Sequence, residues 1–354
     1  MNKPLSLAVT FIYIHLSMSF FLFPEYLLNG TDRAFWQPLA INALIQLAFL
    51  LLLICGLRKF PEHDAIDIVN PTGKIWSFVL FVPLAMQFFS CAVIMVRGHS
   101  ELVSITFLPL TPVWLITLLF IIIALYGALC GLRTIFRASL IIAAFCIPFV
   151  CFSLLTAAKL FDVNNLFPLW DGSFSFVFKR QYYRTFTLYA GFLFLCFVPA
   201  VTPVRIRWIA GAWGVFVVIL LYSVYMPVLI YGSESAATLR FPVIAAMDSV
   251  EVPWLIFDRI TMIYSVCTMI FVFLYISIMI WSVGHISDKL APRLPKRMMI
   301  ILTSAFLFVG TRFTKTWYDL ELLIDWTQPL RLYCMTAVPL GVFIIGTLRK
   351  DRKT

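Results

Sequence analysis

Charge is what this sequence has least of. Only 12% of its 354 residues are Asp, Glu, Lys or Arg, while 62% are hydrophobic; a soluble globular chain carries about twice that share of charge. The balance excludes a water-soluble core, because a fold of this length lacks the polar surface to enclose so much apolar side chain, and the chain is read as a polytopic membrane protein. The ingredients of catalysis and metal binding are scarce too. Of four histidines, His63, His99 and His285 fall in loops expected on different sides. No Ser, His and Asp cluster, metal set or Gly-rich phosphate loop assembles from sequence neighbours, so neither an enzyme nor a cofactor is implied. The eight cysteines include no Cys-x-x-Cys pair and lie in or at the ends of apolar runs, as packing residues do. No small-residue cleavage pattern accompanies the first apolar run, which is expected to remain as a span. The net charge is +10, yet Lys and Arg sit in short loops and form no basic face, which speaks against nucleic acid as a partner.

What is present is a series of ten apolar segments, at about 5–29, 37–57, 75–96, 113–130, 138–158, 186–204, 208–230, 260–283, 298–311 and 329–348. They form a single membrane domain over 1–354, with a first repeat at about 5–158, a second at about 186–348 and a short basic tail at 349–354. Basic residues concentrate in alternate loops and at the two ends, so both termini are expected to be cytoplasmic. Three connections carry structure of their own. Residues 58–74 mix apolar and charged residues as an interfacial helix does; 159–185 combine Trp170 with the turn signal Asp171-Gly172; 231–259 are expected to fold as short helices over the mouth of the bundle.

The first segment, LSLAVTFIYIHLSMSFFLFPEYLLN, is long enough to span but poorly supported as one regular helix. His15, Ser17 and Ser19 sit at mid-depth and Pro24 follows, removing a backbone donor and offering side chains that compete for carbonyls. In lipid, irregular backbone is tolerated only against protein or a water-filled cavity. That makes the stretch a candidate binding site; the alternative is a Pro-kinked span whose hydroxyls bond back to their own helix. The sixth segment repeats the order, with Tyr189, Gly191 and Pro199 against Tyr13, Ser17, Ser19 and Pro24. Ten spans whose first and sixth are interrupted match two inverted five-helix repeats with a site at mid-membrane. Exposed helix ends there suit a small zwitterion such as an amino acid, with sugars and nucleosides left open.

Four runs in order and spacing, FPEYLLNGTDRAFW after the first span, LPLTPVW (108–114), GLRTIFR (131–137) and LRFPVIAAMDSVEVPWLIFDR (239–259), resemble the spore germination permease family. This is the B subunit of spore germinant receptors, within the amino acid, polyamine and organocation transporter superfamily. The resemblance implies an all-α fold like that of the leucine transporter, with broken helices 1 and 6. It also implies a germinant site between helices 1, 3, 6 and 8, and assembly with an A-type membrane subunit and a C-type lipoprotein in the spore inner membrane. The candidate ligand residues are then Ser17, Met18 and Ser19 on helix 1, Gln87 and Ser90 on helix 3, Tyr189, Ala190 and Gly191 on helix 6, and Thr268, Phe271 and Tyr275 on helix 8. Gln87 and Ser90 read equally as interhelical hydrogen bonds, and the helix 8 set as an aromatic packing stripe. Asn42 and Gln46 are assigned to helix packing, and His15 to a satisfied core position. Pro242, Asp258 and Arg259 are expected to gate or anchor the loop over the bundle. The sixth helix lacks the family's Gly-Glu pair, having Gly191-Phe192, so coupling through a protonated carboxylate is not expected. The readings to be separated are a germinant-sensing subunit, a true solute transporter of the same fold, and a structural membrane partner with a vestigial pocket.

Overall fold

The computed structural model describes residues 3–198, 206–252, 260–293 and 295–351, and among them the architecture is helical throughout. That follows from the apolar runs, since a helix satisfies its own backbone where no water is available. The chain begins with α1 (Lys3–Ser19) and α2 (Phe23–Gly30), bent by 56° across a three-residue break. It continues through α3 (Trp36–Leu57), the short α4 (Ala65–Val69), α5 (Lys74–Thr106), α6 (Val113–Cys130) and α7 (Leu132–Ala157). The second half opens in pieces: α8 (Arg180–Arg184), α9 (Phe186–Tyr189) and a 3₁₀ segment, Ala190–Phe197. Then come α10 (Ile206–Tyr231), the short α11 (Ser233–Thr238) and α12 (Pro242–Asp248), α13 (Thr261–Leu290), α14 (Lys296–Phe313), α15 (Trp317–Trp326) and α16 (Gln328–Asp351).

Seven helical stretches are long and apolar enough to cross a bilayer, and the bent α1–α2 pair makes an eighth. Two further stretches complete the set, one with charged ends and one broken. α14 carries Lys296, Arg297 and Arg312 at its ends and packs against α5, α6 and α13. The broken segment from α8 to Phe197 runs against α1, α3, α13 and α16. Counted with these two, the described residues give ten crossings, each half led by a broken one.

α5 and α13 form the centre: 67% and 72% of their most apolar windows are buried, against 33% and 22% for α6 and the helix containing α7. The outer faces of α6, α7 and α10 expose Leu119, Ile122, Ile141, Phe145 and Val218 to lipid. α3 and α16 touch backbone to backbone. A Cβ on Gly56 would lie 3.0 Å from the Phe343 main chain, and one on Gly346 would lie 3.3 Å from the Gly56 carbonyl oxygen, so only glycine permits that approach.

The starts of α1 and α7 and the last turns of α16 lie on one face. Lys59 Nζ donates to Thr347 Oγ1, Arg349 Nη1 donates to the Ile68 carbonyl at 2.6 Å, and Thr10 meets Ser139 at 2.9 Å near the starts of α1 and α7. The 58–74 connection on this face contains α4, with Ala65, Ile66, Ile68 and Val69 all buried. On the opposite face, 3₁₀ turns at Val163–Leu166 and Ser175–Phe178 are pinned to the bundle by Trp36 Nε1 donating to Leu169 O at 2.7 Å and by the Lys179–Asp32 ion pair at 2.6 Å. α11 and α12 pack over α10 there, and Pro242 opens α12, where its missing N–H costs nothing.

Candidate functional site

The first break falls at Phe20–Leu22, immediately after the two serines. Ser17 Oγ donates to Ile14 O at 2.8 Å and Ser19 Oγ to His15 O at 2.7 Å, so both hydroxyls are spent on the last turn of α1. Pro24 lies in the first turn of α2, where its fixed φ suits a helix start. The proline therefore starts the second half-helix rather than kinking the first.

The second break follows Tyr189, where α-helix gives way to the 3₁₀ segment. Gly191 lets this backbone approach α1. A Cβ there would sit 3.1 Å from Ile14 Cγ2 and 3.3 Å from His15 Nε2. Gln46 on α3 ties the two breaks together: its Nε2 donates to Tyr189 O at 2.8 Å and lies 2.8 Å from His15 Nε2. His15 Nδ1 faces the Phe11 carbonyl at 2.7 Å; a carbonyl only accepts, so Nδ1 carries the proton and Nε2 accepts from Gln46. One turn away, Asn42 Nδ2 donates to Thr185 Oγ1 at 3.0 Å and its Oδ1 accepts from the Tyr182 hydroxyl.

Between the 3₁₀ segment, α5 and α13 lies a narrow, tightly packed cavity with no free room for a water molecule, lined by Gln87, Phe88, Cys91, Thr187, Ala190, Gly191, Tyr275 and Met279. Four of the sequence candidates meet there: Gln87, Ala190, Gly191 and Tyr275. A second, similarly tight hollow lies between α2 and the α8–α9 region; Met18 lines it with Leu22, Phe23, Tyr26, Arg184, Thr185, Thr187 and Leu188. Thr187 belongs to both. The remaining candidates point elsewhere. Ser90 Oγ donates to Gln87 O at 2.9 Å, Thr268 Oγ1 to Ser265 O at 2.9 Å, and Phe271 stacks on Tyr13 with centroids 4.3 Å apart. The Tyr189 ring meets Phe23 and Phe216, and its hydroxyl donates to Leu39 O. Asp258 and Arg259 lie outside the described residues.

Charged clusters close both faces. Opposite the starts of α1 and α7, Arg184 grips Asp325 with two parallel bonds of 2.7 Å and reaches Glu321 at 3.1 Å, locking the broken sixth crossing to α15. On the face of those starts, Lys296 Nζ donates to His285 Nδ1 at 2.9 Å, and His285 Nε2 donates to Asp64 Oδ2 at 2.7 Å. The His285 ring stacks on Trp281 and abuts Phe197 at the foot of the 3₁₀ segment. Burial opposes ionisation of Asp64, but hydrogen bonds from His285 and the Asp67 N–H, with the nearby charge of Lys289, outweigh it and hold the carboxyl below its ordinary value.

Sequence reading missed Phe88, Cys91, Thr187 and Met279, which carry no signal apart from their helix faces. It also passed over Arg331, a lone charge in an apolar segment that is fully buried in the structure.

Two broken helices meeting beside a polar-edged cavity, inside ten crossings arranged as five and five, define a membrane protein with the fold of the leucine-transporter class. The solved structure of MhsT in complex with L-phenylalanine aligns over 98% of both chains with a TM-score of 0.53 at 10% identity, a likeness of fold. The chain belongs to the spore germination protein family, whose model matches residues 4–316. It is 22% identical over 228 residues to spore germination protein B2 of Bacillus subtilis (strain 168), covering 63% of this chain and 62% of that protein. With spore germination protein YndE of the same organism it shares 23% identity over 282 residues, 78% and 77% of the two chains. The match thus spans less than two thirds of the first relative's length.

Proposed function

We propose that this protein is a membrane subunit of a spore germinant receptor that binds a small germinant at mid-membrane and triggers germination. The germinant in this reading is a small molecule, an amino acid first, with sugars and nucleosides left open. The observation that carries the reading is the pair of buried polar atoms beside the second break, Gln87 Oε1 and Thr187 Oγ1, which have no hydrogen-bond partner among the described residues. Such orphans cost about 1–3 kcal/mol each, and a polar solute would relieve them. Family membership supports assembly with an A-type subunit and a C-type lipoprotein in the spore inner membrane, in a binding and not a catalytic role. Loop charge supports a cytoplasmic position for both termini.

A transporter reading is favoured by one feature, the separate ion-paired closures on the two faces, which resemble the paired gates that alternating access requires. Thermal unfolding of the purified full-length protein with amino acids, sugars and nucleosides, alongside uptake of the same labelled solutes into liposomes, separates the two. Stabilisation without uptake is the expected result. Uptake moves the protein to the transporters, and neither effect leaves a structural partner with a vestigial pocket.

A further inference from the structure

The face that carries the starts of α1 and α7 is neutralised from within on one side and not on the other. Toward α4, α13 and α16, Lys289 meets Asp67 at 2.5 Å, Lys296 donates to His285, His285 donates to Asp64, and Arg349 donates to the Ile68 carbonyl. Toward α7 and α10 stand Arg133, Arg137 and Arg207. All three are exposed, and their side chains make no ion pair or hydrogen bond among the described residues. No Asp or Glu occurs before Glu25, in residues 102–161 or in residues 172–233, so α1, α7 and α10 supply no counter-charge of their own. The acids that come next, Asp162 and Glu234, follow the far ends of α7 and α10, on the opposite face.

Each of these arginines heads an exposed apolar stripe. Arg133, Arg137, Ile141 and Phe145 recur at every fourth residue of α7, and Arg207, Gly211 and Val215 do the same on α10, all of them exposed; that spacing keeps each set on one helix face. α1 packs against both helices, with Thr10 reaching Ser139 at 2.9 Å and the His15 and Phe216 rings 4.6 Å apart, and its first turn leaves Leu5 exposed. A Cβ on Gly211 or Gly214 would meet nothing within 4 Å, so α10 is open to a neighbour here. We infer that this surface of α7, α1 and α10 binds an anionic phospholipid of the adjoining leaflet, its phosphate held among Arg133, Arg137 and Arg207 and its acyl chains against Ile141, Phe145 and Val215. Arginine suits the task, because its stem lies along apolar surface while the guanidinium reaches the headgroup layer, and the planar fork takes a phosphate through two parallel bonds. Basic groups between spanning helices hold anionic headgroups in this way. An acidic protein segment would meet the charges but not the apolar stripes that continue below them, which favours lipid. The site is independent of the germinant pocket.

The test is thermal unfolding of the delipidated full-length protein in detergent, titrated with phosphatidylglycerol, phosphatidylcholine or inorganic phosphate. Phosphatidylglycerol is expected to raise the midpoint at lower concentration than phosphatidylcholine does, and inorganic phosphate at the same concentration to have no effect. An arginine beside an anionic headgroup layer is worth about a fivefold change in affinity. Arg137→Gln should therefore need about fivefold more phosphatidylglycerol for half of the rise, and a protein carrying Arg133→Gln, Arg137→Gln and Arg207→Gln together should respond equally to the two lipids. All three positions are exposed, so these variants should unfold like wild type when no lipid is added. Arg297→Gln removes an exposed charge at the start of α14 on the same face and should keep the wild-type preference. Equal stabilisation of wild type by the two lipids overturns the assignment and leaves these arginines to an acidic protein partner. It is overturned too if inorganic phosphate reproduces the effect, if the triple variant keeps the preference, or if Arg297→Gln loses as much of it as Arg137→Gln.

Discussion

Gln46 uses both amide hydrogens on groups of other crossings, the ring of His15 and the carbonyl of Tyr189. Gln46→Leu fills similar space and leaves both acceptors buried without a donor, so a loss of about 1–3 kcal/mol is expected. The check is a lower unfolding midpoint in detergent with unchanged membrane insertion. Gly191 meets α1 from the other direction. Gly191→Ala must push Ile14 and His15 aside by a few tenths of an ångström, at about 1–3 kcal/mol. Gly191→Leu also fills the cavity, and germinant response should vanish at normal membrane level, measured by immunoblot against a spore germination assay. From sequence, Asn42 and Gln46 were legible as one face of α3 assigned to packing, and they do bond between helices. Their partners were not legible, because Tyr182, Thr185 and Tyr189 lie about 140 residues away and nothing local couples them. Ser17 and Ser19 were readable as competitors for backbone carbonyls, and they bond as the kinked-span alternative had them. The chain breaks all the same, because the interruption comes just after them.

At the scale of elements, the breaks were legible through composition and their positions were not. Pro24 pointed to an interruption but belongs to the first turn after it. α15 escaped notice because its ten residues are too few to span; Thr316 and Asp319 start it with reciprocal caps. α15 carries one side of the Arg184–Asp325 lock. Asp325→Asn leaves Arg184 buried and short of charge, a loss of about 3–5 kcal/mol if the lock stays shut. If the lock opens instead, a cysteine at Thr187 becomes reactive to an impermeant maleimide from that face, and this faster labelling is the expected outcome. On the other face, Asp64 titrates below its ordinary value because of His285, the Asp67 N–H and Lys289. A depressed carboxyl stabilises the fold above its unfolded pKa, and that contribution disappears as pH falls through the folded value. The midpoint of wild type should therefore drop on acidification below about pH 4. Asp64→Asn should be less stable at neutral pH and should lack that part of the drop.

For the molecule as a whole, apolar run length made the ten crossings readable, and alternating loop charge gave an orientation. Single cysteines placed in 349–354 and in 231–252 should label from opposite sides of the membrane; labelling from one side would refute the count of ten. What run length could not give is depth of burial. α5 and α6 look equally apolar in sequence, yet the first is central and the second faces lipid, because that difference depends on which helices surround each one.

The glycine contact between α3 and α16 has a mechanical consequence. With Gly56 and Gly346 against each other's main chains, no acyl chain or water fits between these helices, and their separation cannot shrink. The pair is a fixed frame. Gln46, which holds the two breaks, rides on it, so any rearrangement must appear as movement of α1, α2 or α13 relative to that frame. Nitroxides at the exposed positions Leu44 and Ile344 should keep one sharp distance in pulsed electron spin resonance whatever solute is added. A label on α13 measured against Leu44 should report the displacement.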